Sequence, residues 1–169
     1  MFKREGWTVC ASQGNLAAKK EYYMPAVRGR SILTTLFGVV GLFWFGFHAL
    51  EYVHGRYDAL AGYLPLPVPM GLGGLFDAMP QWAGLALTLT IWTGLLGALL
   101  LLLGDRASVL LLALTLLVAL VTLVWGALAF AQGLTELGQI SPLFFGAGQA
   151  AVAFGLWLFA RTAKRYGSL

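Results

Sequence analysis

Four long apolar runs constrain this chain more than any other feature. The first is ILTTLFGVVGLFWFGFHAL from Ile32; the others run from about Pro80 to Leu103, Ala107 to Gln132 and Ser141 to Thr162. A helix needs about 20 mostly apolar residues to cross about 30 Å of hydrocarbon, and each run supplies that length. Lipid offers no partner to a backbone amide, so helices are the default, and runs this long do not fit barrel strands of about 10 residues. The expected fold is all-α, an integral membrane four-helix bundle. Its spans lie near 31–52, 80–103, 107–132 and 141–162, between polar tails at 1–30 and 163–169. Only 11% of the residues are charged, against about a quarter in a soluble domain, so lipid is the expected solvent for most of the chain.

The punctuation between the runs fits helices. Ser31 suits an N-cap. Gly104-Asp105-Arg106 separates the second and third spans. A glycine there can end one helix in the left-handed conformation, an aspartate can cap the next, and so short a link makes the helices an antiparallel hairpin. Ser141-Pro142 reads as an N-cap followed by proline at the first helical position. The loop at 53–79 carries alternating prolines at Pro65, Pro67 and Pro69, which favour an extended path. Its glycine-rich end, Met70 to Met79, is apolar enough to lie along a membrane surface.

Basic residues set the expected orientation. Six Lys and Arg lie in the 1–30 tail, Arg106 lies in the short turn, and Arg161, Lys164 and Arg165 follow the last span; only Arg56 lies in the other two loops. Ten against one places both termini in the cytoplasm, N-in and C-in, and turns the loops at 53–79 and 132–140 outward, towards a periplasm. The same distribution accounts for the net charge of +4 without nucleic acid, for which the chain has no recognition-helix pattern. The lone Cys10 forms no intramolecular disulfide and reads as a free thiol in a reducing cytoplasm. No phosphate loop, catalytic triad, CxxC or zinc-binding spacing is present.

One polar cluster stands out, at the outer end of the first span: His48, Glu51, His54 and Arg56. At about 100° per residue, the first three cover an arc of about 120° on one helix face. A carboxylate between two imidazoles can orient them, shuttle a proton or hold a metal, and ionisable groups within a membrane are costly and often functional. The competing reading is interfacial, with Glu51 pairing Arg56 and His54 in water. Asp77 and Glu136 face outward in this topology and could roof the cluster. Gly94 and Ala98, and Ala147, Ala151 and Gly155, have the four-residue spacing that lets membrane helices approach closely. Thr93 and Gln149 are expected to make interhelical hydrogen bonds. Phe43, Trp44, Phe45 and Phe47 surround the first helix, some of them facing lipid, a partner, a pigment or a quinone.

Two segments, GLFWFGFHAL from Gly41 and GALLLLLGDRA from Gly97, with the long loop between them, resemble the DoxX-like family of small four-helix bacterial membrane proteins. The resemblance covers roughly residues 31–160. It implies a bacterial inner-membrane location and an association with redox assemblies, including quinone-linked oxidoreductase subunits. Where that family often carries a glutamate entering the second-span glycine run, this chain has Thr93 and its neighbours. The leading expectation is an accessory or scaffold subunit of a larger membrane complex, redox- or quinone-linked, without catalysis of its own. Its partners would be the bilayer, other membrane subunits or a second copy, with quinone or lipid as bound small molecule. The alternatives are a small redox enzyme using the His48–Glu51–His54 cluster and a small-molecule transporter.

Overall fold

The computed structural model describes residues 32–56, 72–134 and 140–166. The 1–30 tail, the proline segment 64–69 and Glu136 lie outside them, as does the side chain of Arg56. Among the described residues the protein is helical: α1 (Ile32–Arg56), α2 (Gly73–Ala78), α3 (Gln81–Leu103), α4 (Ser108–Ala131) and α5 (Pro142–Arg165). Four of these, α1, α3, α4 and α5, are long and apolar enough to cross a membrane.

α1 continues a full turn past the expected end near residue 52, to Arg56, because Glu51 and His54 are polar without being helix breakers. The second departure is α2, in the apolar end of the loop expected at 53–79. Leu75 and Phe76 are buried, and that apolar contact with α1 stabilises a turn of helix that Gly73 and Gly74 disfavour locally.

The helix ends follow the expected chemistry at Gly104 but not at the N-caps, where α4 begins after Ala107 rather than Asp105 without a side-chain cap, and Ser31 lies outside the described residues. Gly104 sits at φ 78°, and the amides of Gly104 and Asp105 return to the carbonyls of Leu101 and Leu100 at 3.0 and 2.9 Å. Asp105 Oδ1 then accepts the Ala107 amide at 2.9 Å at the approach to α4. The same device closes α4, where Gly133 has φ 86° and Leu134 N donates to Ala129 O at 3.0 Å. Ser141 and Pro142 stand where expected at the start of α5, but the Ser141 hydroxyl makes no capping bond.

The long helices pack antiparallel in chain order, α1 on α3, α3 on α4 and α4 on α5, and a narrower seam joins α5 back to α1. The approaches between helices fix the register. Phe45 of α1 sits against Gly94 of α3, Gly97 of α3 faces Leu112 of α4, and Gly126 of α4 abuts the Pro142 carbonyl of α5. On the closing seam Phe37 stacks on Phe159 with ring centroids 4.2 Å apart. Ile32, the 104–107 turn and Arg165 therefore share one end of the bundle. Arg56, α2 and the start of α5 share the other.

The surface is large and apolar, and several small or polar residues share the interior with Phe45, Leu101, Leu112 and Trp125. Along α4, Ser108, Thr115, Ala119, Thr122 and Gly126 are buried, while Leu110, Leu114, Leu117, Val121 and Val124 are exposed. The buried hydroxyls of Thr90 and Thr115 are satisfied within their own helices, on the carbonyls of Ala86 and Leu111 at 2.9 and 2.8 Å.

Candidate functional site

The C-terminal half of α1 carries two ionisable groups buried inside the bundle. His48 and Glu51, one helical turn apart, are 2% and 3% exposed. His54, a further turn on, is only half-buried. The three residues on one face thus divide: two turn into the protein and the third does not follow them.

His48 is held on three sides. Its Nδ1 lies 2.7 Å from the carbonyl oxygen of Trp44. A carbonyl only accepts, so Nδ1 carries the proton, and in the neutral ring Nε2 presents a lone pair. The imidazole lies against the Trp44 indole, with centroids 4.8 Å apart, and against Phe145 of α5 at 5.6 Å. Glu51 is buried one helical turn further along the same helix. One turn along α5 from Phe145 lies Gln149, fully buried. Its Oε1 accepts from Trp44 Nε1 at 3.4 Å, and its Nε2 has no hydrogen-bond partner among the described residues. An imidazole, an indole N–H and an amide thus meet inside an apolar bundle, with the Glu51 carboxyl buried one turn further along α1, a set able to hold a hydrogen-bonding group or pass a proton.

Beside this cluster, α2 presents an apolar face to the bundle, and of the two acidic residues expected to roof the cluster only Asp77 is described. Phe76 meets Tyr52 of α1 edge-on, with centroids 5.7 Å apart, and Leu72, Leu75 and Phe76 are buried in one core cluster with Leu87 and Trp125. Asp77 is exposed. Burying a carboxylate there would cost far more than burying Phe76 contributes, so the apolar side of α2 turns inward. No group of three or more His, Cys, Asp or Glu among the described residues is placed to hold a metal.

The small-residue pairs also divide. Gly94 and Ala98 are buried on α3, where Ala98 faces Gly41 and Gly94 receives the Phe45 ring. Ala147 and Ala151 are exposed, and a Cβ on Gly155 would meet nothing within 4 Å. Within this chain α5 instead buries Gly146, Ala150, Ala153 and Ala160. Gly146, next to Ala147 in sequence, packs on Leu123 and Thr122 of α4. Thr93 and Gln149 both bridge helices, Thr93 lying 3.0 Å from Thr115 of α4 and Gln149 reaching Trp44 of α1. Of the α1 aromatics, Phe45 is buried, Trp44 is half-buried, and Phe43 and Phe47 face outward.

The sequence reading missed the pairing of Tyr52 with Thr88 of α3, whose oxygens lie 2.8 Å apart, and the part played by Trp44 as the backbone partner of His48. A spacing of four residues between Trp44 and His48 was the available signal. No protein-family model, curated protein or solved structure matches the chain.

Proposed function

We propose that this chain is a four-pass integral membrane protein, with both termini cytoplasmic, that serves as an accessory subunit of a larger membrane assembly. The membrane reading is supported by the outer surface of the bundle, where leucine, valine and phenylalanine stand exposed along all four long helices while threonine, alanine and glycine are buried beside Phe45, Leu101 and Leu112. Water would reverse that arrangement, because an exposed apolar surface of this extent has no stable place in it. The orientation is supported by charge, since Arg106, Arg161, Lys164 and Arg165 stand at the end of the bundle where α1 begins, and six further basic residues precede α1 in sequence. Arg161 lies over the Trp157 ring at 5.3 Å, an arrangement suited to an interfacial anchor.

One observation carries the subunit reading: the outward stripe of Ala147, Ala151 and Gly155 on α5, flanked by the exposed Phe144, Phe154 and Leu158. Lipid chains are as apolar as leucine, so helix association in a bilayer relies on close backbone approach, and small residues at four-residue spacing provide it. The test is native mass spectrometry of gently extracted protein, comparing the natural chain with an Ala147→Leu/Ala151→Leu variant. The expected result is a companion chain that the variant loses while its own helicity is unchanged. A natural chain that is monomeric throughout would refute the reading.

A second reading is favoured by the burial of His48 and Glu51 together, because ionisable groups inside a membrane seldom stand without a task. On it the pair handles a proton or hydrogen-bonds a small molecule. Glu51→Gln and His48→Phe variants that retain every small molecule co-purified with the natural chain would argue against it.

A further inference from the structure

At the outer end of the bundle, between α1, α2 and α3, lies a partly open cavity of about 430 Å³. It is distinct from the side of α1 that holds His48, since Tyr52 faces α3 where His48 faces α5. Its lining includes Tyr52, Phe76, Asp77, Gln81, Gly84 and Thr88. The volume falls within the range of small-molecule sites. We propose that this cavity binds the ammonium group of an amphiphile, whose apolar body leaves along the outer face of α3.

The polar atoms select the charge. Among the described residues that line the cavity, Asp77 supplies the formal charge, with no lysine or arginine beside it. Deeper in, Thr88 Oγ1 lies 2.8 Å both from the Gly84 carbonyl and from the Tyr52 phenol oxygen. A threonine has one proton, and the carbonyl can only accept it. The Tyr52 hydroxyl therefore donates to Thr88, and its own oxygen is left with lone pairs. A carboxylate at the mouth and a phenol oxygen within together favour a cation that carries several donors, and they repel an anion. The Tyr52 and Phe76 rings add aromatic surface of the kind that attracts ammonium groups.

The setting selects the apolar body. Leu85 lines the same cavity and is 66% exposed, with Trp82 exposed beside it. Thr88 lies seven residues along α3 from Gln81, roughly 10 Å deeper at about 1.5 Å per residue. A ligand that reaches the hydroxyl pair therefore lies beside hydrocarbon, and a purely hydrophilic amine would lose its hydration without recompense. The inference rests on the membrane reading but not on the subunit reading.

The chemistry is common to an ethanolamine phospholipid of the surrounding bilayer and to a free hydrophobic amine. The test uses the full chain in neutral detergent, with tryptophan fluorescence reporting the binding of decylamine, decanol and decyl sulfate below their micelle concentrations. Decylamine should bind at least about tenfold more tightly than the other two. Asp77→Asn should weaken it about fivefold, the scale of one partly exposed charge pair. Gly84→Leu should abolish binding, because a side chain there has open space before it; circular dichroism checks that both variants keep their helicity. Equal binding of decyl sulfate, or an Asp77→Asn variant that binds decylamine as the natural chain does, would overturn the proposal. Nanodiscs of ethanolamine or glycerol phospholipid then separate the sources. Competition by the ethanolamine lipid alone identifies the bilayer as the source, and its absence a free amine; both outcomes keep the cavity as an ammonium site. Companion chains in native mass spectra do not depend on Asp77, so failure here leaves the subunit reading standing, and the reverse.

Discussion

Replacing Gly94 by alanine probes the contact that sets the register of α1 on α3. A Cβ built on Gly94 would lie 2.5, 2.6 and 2.6 Å from Cε1, Cδ1 and Cζ of Phe45. Non-bonded carbons pack best at about 3.5–4.0 Å, so the ring must retreat by about 1 Å. Phe45 is fully buried, in one core cluster with Leu101, Leu112 and Leu156, and has little room to retreat. Overpacking of this kind costs about 1–3 kcal/mol. The better helix propensity of alanine offsets up to about 1 kcal/mol. The expected net loss is therefore about 1 kcal/mol, and Gly94→Leu should lose considerably more. Phe45→Leu removes the ring that the new methyl meets. In that background Gly94→Ala should be neutral or stabilising, a coupling of about 1–2 kcal/mol between the two positions. Reversible unfolding in mixed neutral-detergent and dodecyl sulfate micelles measures all four corners of the cycle. Additive effects, with Gly94→Ala costing the same in both backgrounds, would show that the Phe45–Gly94 contact does not set the packing of α1 on α3.

Two further expectations follow from the same packing and one from the charge distribution. Gly126→Ala should destabilise the bundle by about 2 kcal/mol or more in the same unfolding assay, because the added methyl meets the Pro142 backbone carbonyl, which cannot rotate away; Gly155→Ala, with open space before it, should cost nothing there. Tyr52→Phe should lose about 1 kcal/mol through its hydrogen bond to Thr88, and an undiminished unfolding midpoint would argue against that pair. In a Cys10→Ser background, a cysteine at Asp105 should react with an impermeant maleimide only after the cytoplasmic face is opened, and one at Gly133 should react in intact cells; the opposite pattern would invert the proposed orientation.

The four long helices, their lengths and most of their ends were legible in the sequence because the information is local. A run of apolar residues longer than a bilayer is thick admits one backbone structure, and Gly104 and Pro142 mark ends by their own covalent geometry. The charge asymmetry was equally legible, since it needs only counting. What the sequence could not determine was direction around each helix. Leucine-rich spans carry little contrast between faces, so the small-residue stripe Ala147–Ala151–Gly155 and the buried residues Gly146, Ala150 and Ala153 look alike until α4 is placed beside them. His48, Glu51 and His54 likewise share one arc of α1, and only the positions of Trp44, Phe145 and α2 decide that the first two are enclosed. The apolar face formed by Leu75 and Phe76 was hidden for the opposite reason: six residues led by two glycines are a poor helix alone, and their structure comes from the surface they cover. Length and composition act along the chain and can be read from it, whereas burial in an apolar bundle is a relation between helices and exists only once they have packed.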